Sequence, residues 1–226
     1  MCGRFNVTDD PAVHALLALL DIDLGPLPVR YNIAPTDSVP VVHYWEGERV
    51  ISDMRWWLVP HWSSGPSTKY AMFNARAERL NQSRAYQGPF RHKRAVLPAS
   101  SFVEWQRKDG EKTPFLFDSP GQGLAFAGLW DYWTDGTEHV LSCSIVTTEA
   151  SPEFAPYHHR MPVLLDAEGA TRWLDQAQDE SALRTLFEPS LPYALQATPI
   201  DRTYNNSRNK QQPVALERPV PLKQAK

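Results

Sequence analysis

The sequence predicts one α+β domain built on a curled, mainly antiparallel sheet system. Three observations carry that expectation. Apolar, β-branched and aromatic segments follow one another through the middle of the chain, as RAVLP, SFVEW, TPFLFD, LAFAGLWDYW and HVLSCSIVTTEA. Turn-forming strings such as KDGEK and TDGTE separate them. The 20 prolines are spread among turns, and no internal repeat breaks the chain into units.

Taken in order, a short strand at the start gives way to Thr8, Asp9 and Asp10, which suit a helix cap, and Pro11 opens the helix PAVHALLALL. Gly25, Pro26 and Pro28 end that segment. YNIAP leads into a strand through Val39, Val41, Val42, Tyr44 and Trp45; EGER turns, and residues 50–58 return as the hairpin partner. HWSSGPSTKY is a polar loop. FNARAERL reads as helix from its Ala, Arg, Glu and Leu content, with Asn74 near its start as a cap or a cleft residue. After the strand-rich middle, SPEFAPYHHR is a loop, MPVLL a short strand, AEGATRWLDQ and ESALRTLF two short helices, and PYALQATPI a last strand.

At 226 residues, 42% of them hydrophobic, the chain can bury a core without metals or disulfides, and wholesale disorder is excluded. The start MCGRFNVTDD lacks the apolar run of a signal peptide, and no stretch approaches the ~18 uninterrupted apolar residues of a membrane span. A cytoplasmic location is expected, nucleoid-associated in a bacterium. Two cysteines, Cys2 and Cys143, fit a reducing compartment. Cys143, in LSCSIV, reads as a buried structural thiol.

The net charge of −3 hides an uneven distribution. Between Asn74 and Lys108, eight basic side chains (Arg76, Arg79, Arg84, Arg91, Lys93, Arg94, Arg107, Lys108) face two acidic ones, and from Arg202 to Lys226 six face one. If the two segments meet in space, an acidic protein carries a positive face suited to a polyanion. Trp62, Tyr70, Phe73, Tyr86, Phe90, Phe102 and Trp105 interleave with the first segment. Exposed, such rings would stack the bases of a single strand; buried, they are core.

Cys2 is the most informative position. Loss of Met1 would leave a free amine, titrating near pH 8, and a thiol, near 8.5, on one residue. The amine can form a Schiff base with an aldehyde, and the thiol can close on the same carbon as a five-membered thiazolidine; the residue could equally attack an ester or amide. The plainer reading is a small semi-buried cysteine near a terminus. Glu104, between Val103 and Trp105, either points to solvent from one face of a strand or sits in a cleft as a general acid or base. His158 and His159 could move protons or bind phosphate, and nothing near them completes a metal-ligand spacing. Dinucleotide, P-loop, zinc-protease and α/β-hydrolase motifs are absent. Neither a metal nor a cofactor is expected.

Several strings, in order along nearly the whole chain, resemble the SRAP (SOS response associated peptidase) family, which includes an abasic-site sensor that crosslinks to single-stranded DNA. They are MCGRF at 1–5, RYNIAP at 30–35, FNARAE at 73–78, SFVEW at 101–105, KTPF at 112–115, AGLW at 127–130, SIVTTEA at 144–150 and HHRMPVLL at 158–165. The resemblance implies a single domain over 1–210 with a curled, barrel-like β core flanked by helices, followed by a basic, flexible tail over 211–226. It implies that Cys2 forms the thiazolidine with a ring-opened abasic deoxyribose, that Asn74 orients the reacting groups, that Glu104 is the acid/base carboxylate and that His158 serves Schiff-base chemistry and its reversal. It also implies DNA contacts from Arg4, Trp62, Arg76, Arg160, Asn206 and Arg208. The partner would be abasic single-stranded DNA, with no membrane, bound by a monomer. The chain departs from the family pattern in having His159 where aspartate is common, and Ser100 and Ser101 where glycine or alanine is frequent. Two rival expectations stay open: a peptidase acting from Cys2, first on Met1, and a noncovalent single-strand binder.

Overall fold

The computed structural model describes residues 2–222. Met1, whose removal the reading of Cys2 requires, and residues 223–226 of the tail lie outside the described residues. The chain runs through β1 (Arg4–Val7), α1 (Pro11–Leu19), β2 (Arg30–Ile33), β3 (Ser38–Trp45), β4 (Glu48–Trp56) and β5 (Asn74–Arg76). A 3₁₀ turn at Ala77–Gln82 leads to α2 (Gln87–His92), β6 (Arg94–Ala99), β7 (Ser101–Lys108), β8 (Glu111–Asp118), β9 (Leu124–Thr134) and β10 (His139–Glu149). Then come β11 (Arg160–Pro162), β12 (Leu164–Leu165), α3 (Ala167–Leu174), α4 (Glu180–Leu183), β13 (Gln196–Pro199) and β14 (Val220–Pro221).

The α+β expectation holds, and the sheet closes. β4, β3, β6, β9 and β10 pair in that order, and β10 returns to β4, so the strands form a barrel. Every pairing round it is antiparallel except β10 on β4. Closure explains the unbroken apolar runs: β6 is buried at every residue and β9 at nearly every one, because one face fills the barrel and the other is covered by helices or the second sheet. α1 begins as expected, with the Asp10 carboxylate accepting from the Ala12 amide at 2.7 Å and Pro11 in the first turn, and it buries Val13, Leu16 and Leu17. α3 is fastened to the barrel by Trp173, whose indole donates to the carbonyls of Ala95 and Gly128.

A second sheet runs β14-β13-β8-β7-β1-β2. Phe5 on β1 touches Trp56 and Phe126, and Phe102 on β7 touches Phe126, so aromatic contacts join the two sheets. Within the 211–226 segment, Ala215 bridges Ile200, and β14 pairs with β13.

Gly128 shows how tightly the barrel is drawn. A Cβ there would run into the Leu97 side chain and come within 3.3 Å of the Ala95 and Ser144 carbonyl oxygens on the two flanking strands. Gly128→Ala is therefore expected to cost about 1–3 kcal/mol, read as a lower urea midpoint. An unchanged midpoint would mean that the strands separate freely at this point.

Candidate functional site

β1 carries the start of the chain into the interior. Arg4 pairs with Val103 and Phe5 with Phe102, so continuing the antiparallel register sets Gly3 and Cys2 alongside Glu104 and Trp105. Cys2 is fully buried, as are Cys143 and Glu104, and both cysteines are free thiols. Of the two readings open for Glu104, the solvent-facing one does not hold, since the side chain is buried. Burial, and secondarily the Glu104 carboxylate, push the Cys2 thiol pKa up, and burial raises that of Glu104. A thiol in this setting keeps its proton until a base takes it.

Asn74 comes to Cys2 by a route that composition did not reveal. The expected helix at 73–80 is a strand, Asn74–Arg76, followed by a 3₁₀ turn. The cause is tertiary. β10 first pairs with β4, Ser142 with Arg55 and Cys143 with Trp56; the chain then loops out over 57–73 and rejoins the same edge of β10, with Asn74 opposite Ile145. The Ile145 amide donates to the Phe73 carbonyl at 3.0 Å, and the Trp56 indole to the same oxygen at 2.8 Å. Ladder bonds on a waiting strand outweigh the helix propensity of the string. Asn74 Nδ2 donates to the Cys2 carbonyl at 2.8 Å, while its buried Oδ1 has no hydrogen-bond partner among the described residues. That acceptor is suited to a donor arriving with a ligand. Tyr86, its hydroxyl donating to the Asn74 carbonyl at 3.3 Å, supports the strand from behind.

The histidines sit at the end of the loop between β10 and β11. His158 Nδ1 lies 2.8 Å from the Arg160 carbonyl and 3.1 Å from the Arg160 amide, so Arg160 backbone atoms hold the ring by this nitrogen. Its ring stacks on His159 with centroids 4.3 Å apart. Burial lowers the pKa of both; the hydrogen bond to the Arg160 carbonyl opposes the shift at His158, and Glu104 opposes it at His159.

Arg160 departs from the expectation of a DNA contact. It is buried, its two amino groups grip the Glu78 carboxylate at 2.8 and 3.1 Å, and it donates to the Thr147 carbonyl at 2.7 Å. Those bonds tie β11 to β10 and to the 3₁₀ turn, and they leave the guanidinium no face for a phosphate. Two cations of the first basic run are held by the fold: buried Arg94 donates to four backbone carbonyls, and half-buried Lys93 bonds the buried Asp131 carboxylate at 2.5 Å.

The remaining candidates lie towards solvent. Arg4 lies over the Trp105 ring at 5.8 Å, and the Trp105 indole donates to Asn205 Oδ1 at 2.5 Å, which brings the C-terminal segment to β7. There Asn32 Nδ2 holds the carbonyls of Asn206 and Asn209, leaving Arg208 exposed. The first basic segment thus reaches Cys2 through Asn74, and the C-terminal one reaches β7 through the bond between Asn205 and Trp105. The aromatic run divides: Phe90 and Phe102 are core, while Trp62 is 43% and Tyr70 69% exposed. Trp62, with Arg84 stacked on it at 4.1 Å, lines a cavity of about 700 Å³ with Tyr70 and Met72. Beside it, sharing Ser83, a second cavity of about 460 Å³ is walled by Asn74 and Arg76. Trp105, Arg84 and Tyr86 were visible only as members of basic and aromatic runs; the EW pair beside Cys2 in register is the signal that would have singled out Trp105.

The fold is thus an α+β barrel in which a buried second-position cysteine is held by an asparagine that walls a cavity with Arg76 and Arg79. The chain belongs to the SOS response associated peptidase (SRAP) family, whose model matches residues 1–207. It is 30% identical over 217 residues to the abasic site processing protein YoqW of Bacillus subtilis, covering 92% of this chain and 96% of that one. It is 32% identical over 216 residues to the abasic site processing protein HMCES of Xenopus tropicalis, covering 79% and 63% respectively. A solved protein of Bacteroides thetaiotaomicron shares the fold, with a TM-score of 0.74 at 20% identity over 92% of this chain and 99% of that one. No helix among the described residues is long and apolar enough to cross a membrane.

Proposed function

We propose that the protein captures abasic sites in single-stranded DNA as a thiazolidine on Cys2 after loss of Met1, shielding the lesion from strand cleavage. The observation that carries this reading is the convergence of Cys2, Asn74 and Glu104 beside a basic cleft, and the printed names of the relatives support it. The amine adds to C1′ of the ring-opened sugar, and loss of one water gives the imine. The thiol sulfur then bonds to the same carbon while its proton passes to nitrogen. The raised thiol pKa favours this order, amine first, with Glu104 or His158 relaying protons. Asn74 Oδ1 accepts from the amine or from a sugar hydroxyl. Thiol closure protects the adduct, because water would hydrolyse the open imine.

Arg4, Arg76 and Arg208 hold the sugar-phosphate backbone without reading sequence, and Trp62 borders the lesion. The protein acts as a monomer in the cytoplasm, at the nucleoid in a bacterium. Intact-mass analysis after incubation with an oligonucleotide bearing one abasic site tests this. The expected product is Met1-less protein plus oligonucleotide less one water, with none from an undamaged strand. DNA-independent peptide cleavage without an adduct would favour the peptidase reading, and equal binding of both strands without an adduct the noncovalent one.

A further inference from the structure

Several arginines of the described chain are satisfied within it. Arg30 pairs with Asp53, Arg49 with Asp21, Arg91 with Glu180, Arg160 with Glu78 and Arg202 with Glu111. Arg76 and Arg79 differ. Both are exposed, neither has a hydrogen bond or ion pair among the described residues, and both stand in the wall of the 460 Å³ cavity with Asn74, Gln82 and Ser83.

Their alignment follows from the local backbone. In a 3₁₀ helix, side chains three residues apart eclipse one another. Arg76 caps the turn at Ala77–Gln82, so Arg76, Arg79 and Gln82 fall on one edge, while Ala77 and Leu80 fall on the buried one. Glu78 is the acidic residue of this turn, and Arg160 holds its carboxylate bidentately on the other side. Arg76 exerts only a longer-range pull on it. Neither guanidinium is therefore paired with the carboxylate of this turn. At ~2 Å rise per residue, successive rungs are ~6 Å apart, close to the spacing of consecutive phosphates on an extended single strand.

We propose that this edge is a phosphate ladder, in which Arg76 takes the phosphodiester next to the lesion and Arg79 the following one. Arg79 is thus a DNA-binding residue that fixes how far the gripped strand extends on one side of the abasic site. The proposal rests on the reading of the protein as a binder of abasic single strands. Its test is kept independent of covalent capture by using an oligonucleotide with a tetrahydrofuran abasic analogue, which has no aldehyde.

Binding is measured by fluorescence anisotropy across a salt series for wild type, Arg79→Ala, Arg79→Lys and, as a charge control, Arg184→Ala, an exposed arginine at the separate α4 surface. Arg79→Ala should weaken binding about three- to tenfold and lower the slope of log K against log salt by about 0.7, the value for one phosphate on a single strand. Arg79→Lys should restore the slope, and Arg184→Ala should leave it unchanged. Replacing one linkage at a time by a neutral methylphosphonate should abolish the Arg79→Ala effect at one position only, the second phosphate on one side of the lesion. If wild type binds and Arg79→Ala keeps its slope, or if its effect survives every neutral linkage, the ladder is overturned and the capture reading stands. If wild type binds no strand, both fall. Normal ladder behaviour without any adduct on a true abasic strand would overturn capture alone.

Discussion

Replacing Cys2 with alanine will abolish the heat-stable adduct while leaving an imine that borohydride can trap. Alanine is small enough for Met1 removal to proceed, so the variant still presents an α-amine to the aldehyde. What it lacks is the sulfur that closes the ring. An intramolecular thiol in the right geometry acts at an effective concentration on the order of 10⁵ M or more, so its loss moves the equilibrium from the closed thiazolidine back to an imine open to water. Heat-stable product should fall by at least about a hundredfold, and reduced, borohydride-trapped product should persist. The fold should tolerate the change, because one buried sulfur leaves a hole costing about 1 kcal/mol. Heat-stable adduct at wild-type yield from the alanine variant would remove cysteine from the mechanism.

Strand periodicity and turn chemistry made the middle strands of both sheets legible: the segments read as strands from RAVLP to SIVTTEA are β6 to β10, and the 11–19 helix starts at its expected cap. The barrel came from the family resemblance and not from periodicity, since closure depends on β10 pairing with both β9 and β4, far apart in sequence. The same long-range pairing turned Asn74–Arg76 into strand against its local preference. Charge was legible as an amount and hidden as a placement. Arg94 and Arg160 look no different from Arg76 and Arg79 in a string of letters, yet the first pair is spent on carbonyls and a carboxylate inside the fold and the second faces a cavity. A charged side chain follows its local partners, and those come from distant strands.

Glu104→Gln will slow adduct formation by about 10²–10³-fold, the range for losing a positioned proton donor or acceptor, without destabilising the protein at neutral pH. The two halves of that expectation have one origin. Burial on β7 raises the carboxyl pKa above its unfolded value. Between those two values the folded state binds more protons than the unfolded one, so the stability tied to the proton is fully present below the unfolded pKa, near 4.3, and is lost as pH rises through the folded value. Above the unfolded value the wild type therefore carries the cost of keeping this carboxyl in a desolvated place, and glutamine, similar in shape and uncharged, removes it. The urea midpoint of the variant should match wild type near pH 4 and exceed it at pH 8. A carboxylate kept for structure would behave oppositely, its loss lowering the midpoint at every pH and the rate only through unfolding. A variant that is slow, folded and more stable at high pH would place Glu104 in proton transfer; one as fast as wild type would leave that work to His158.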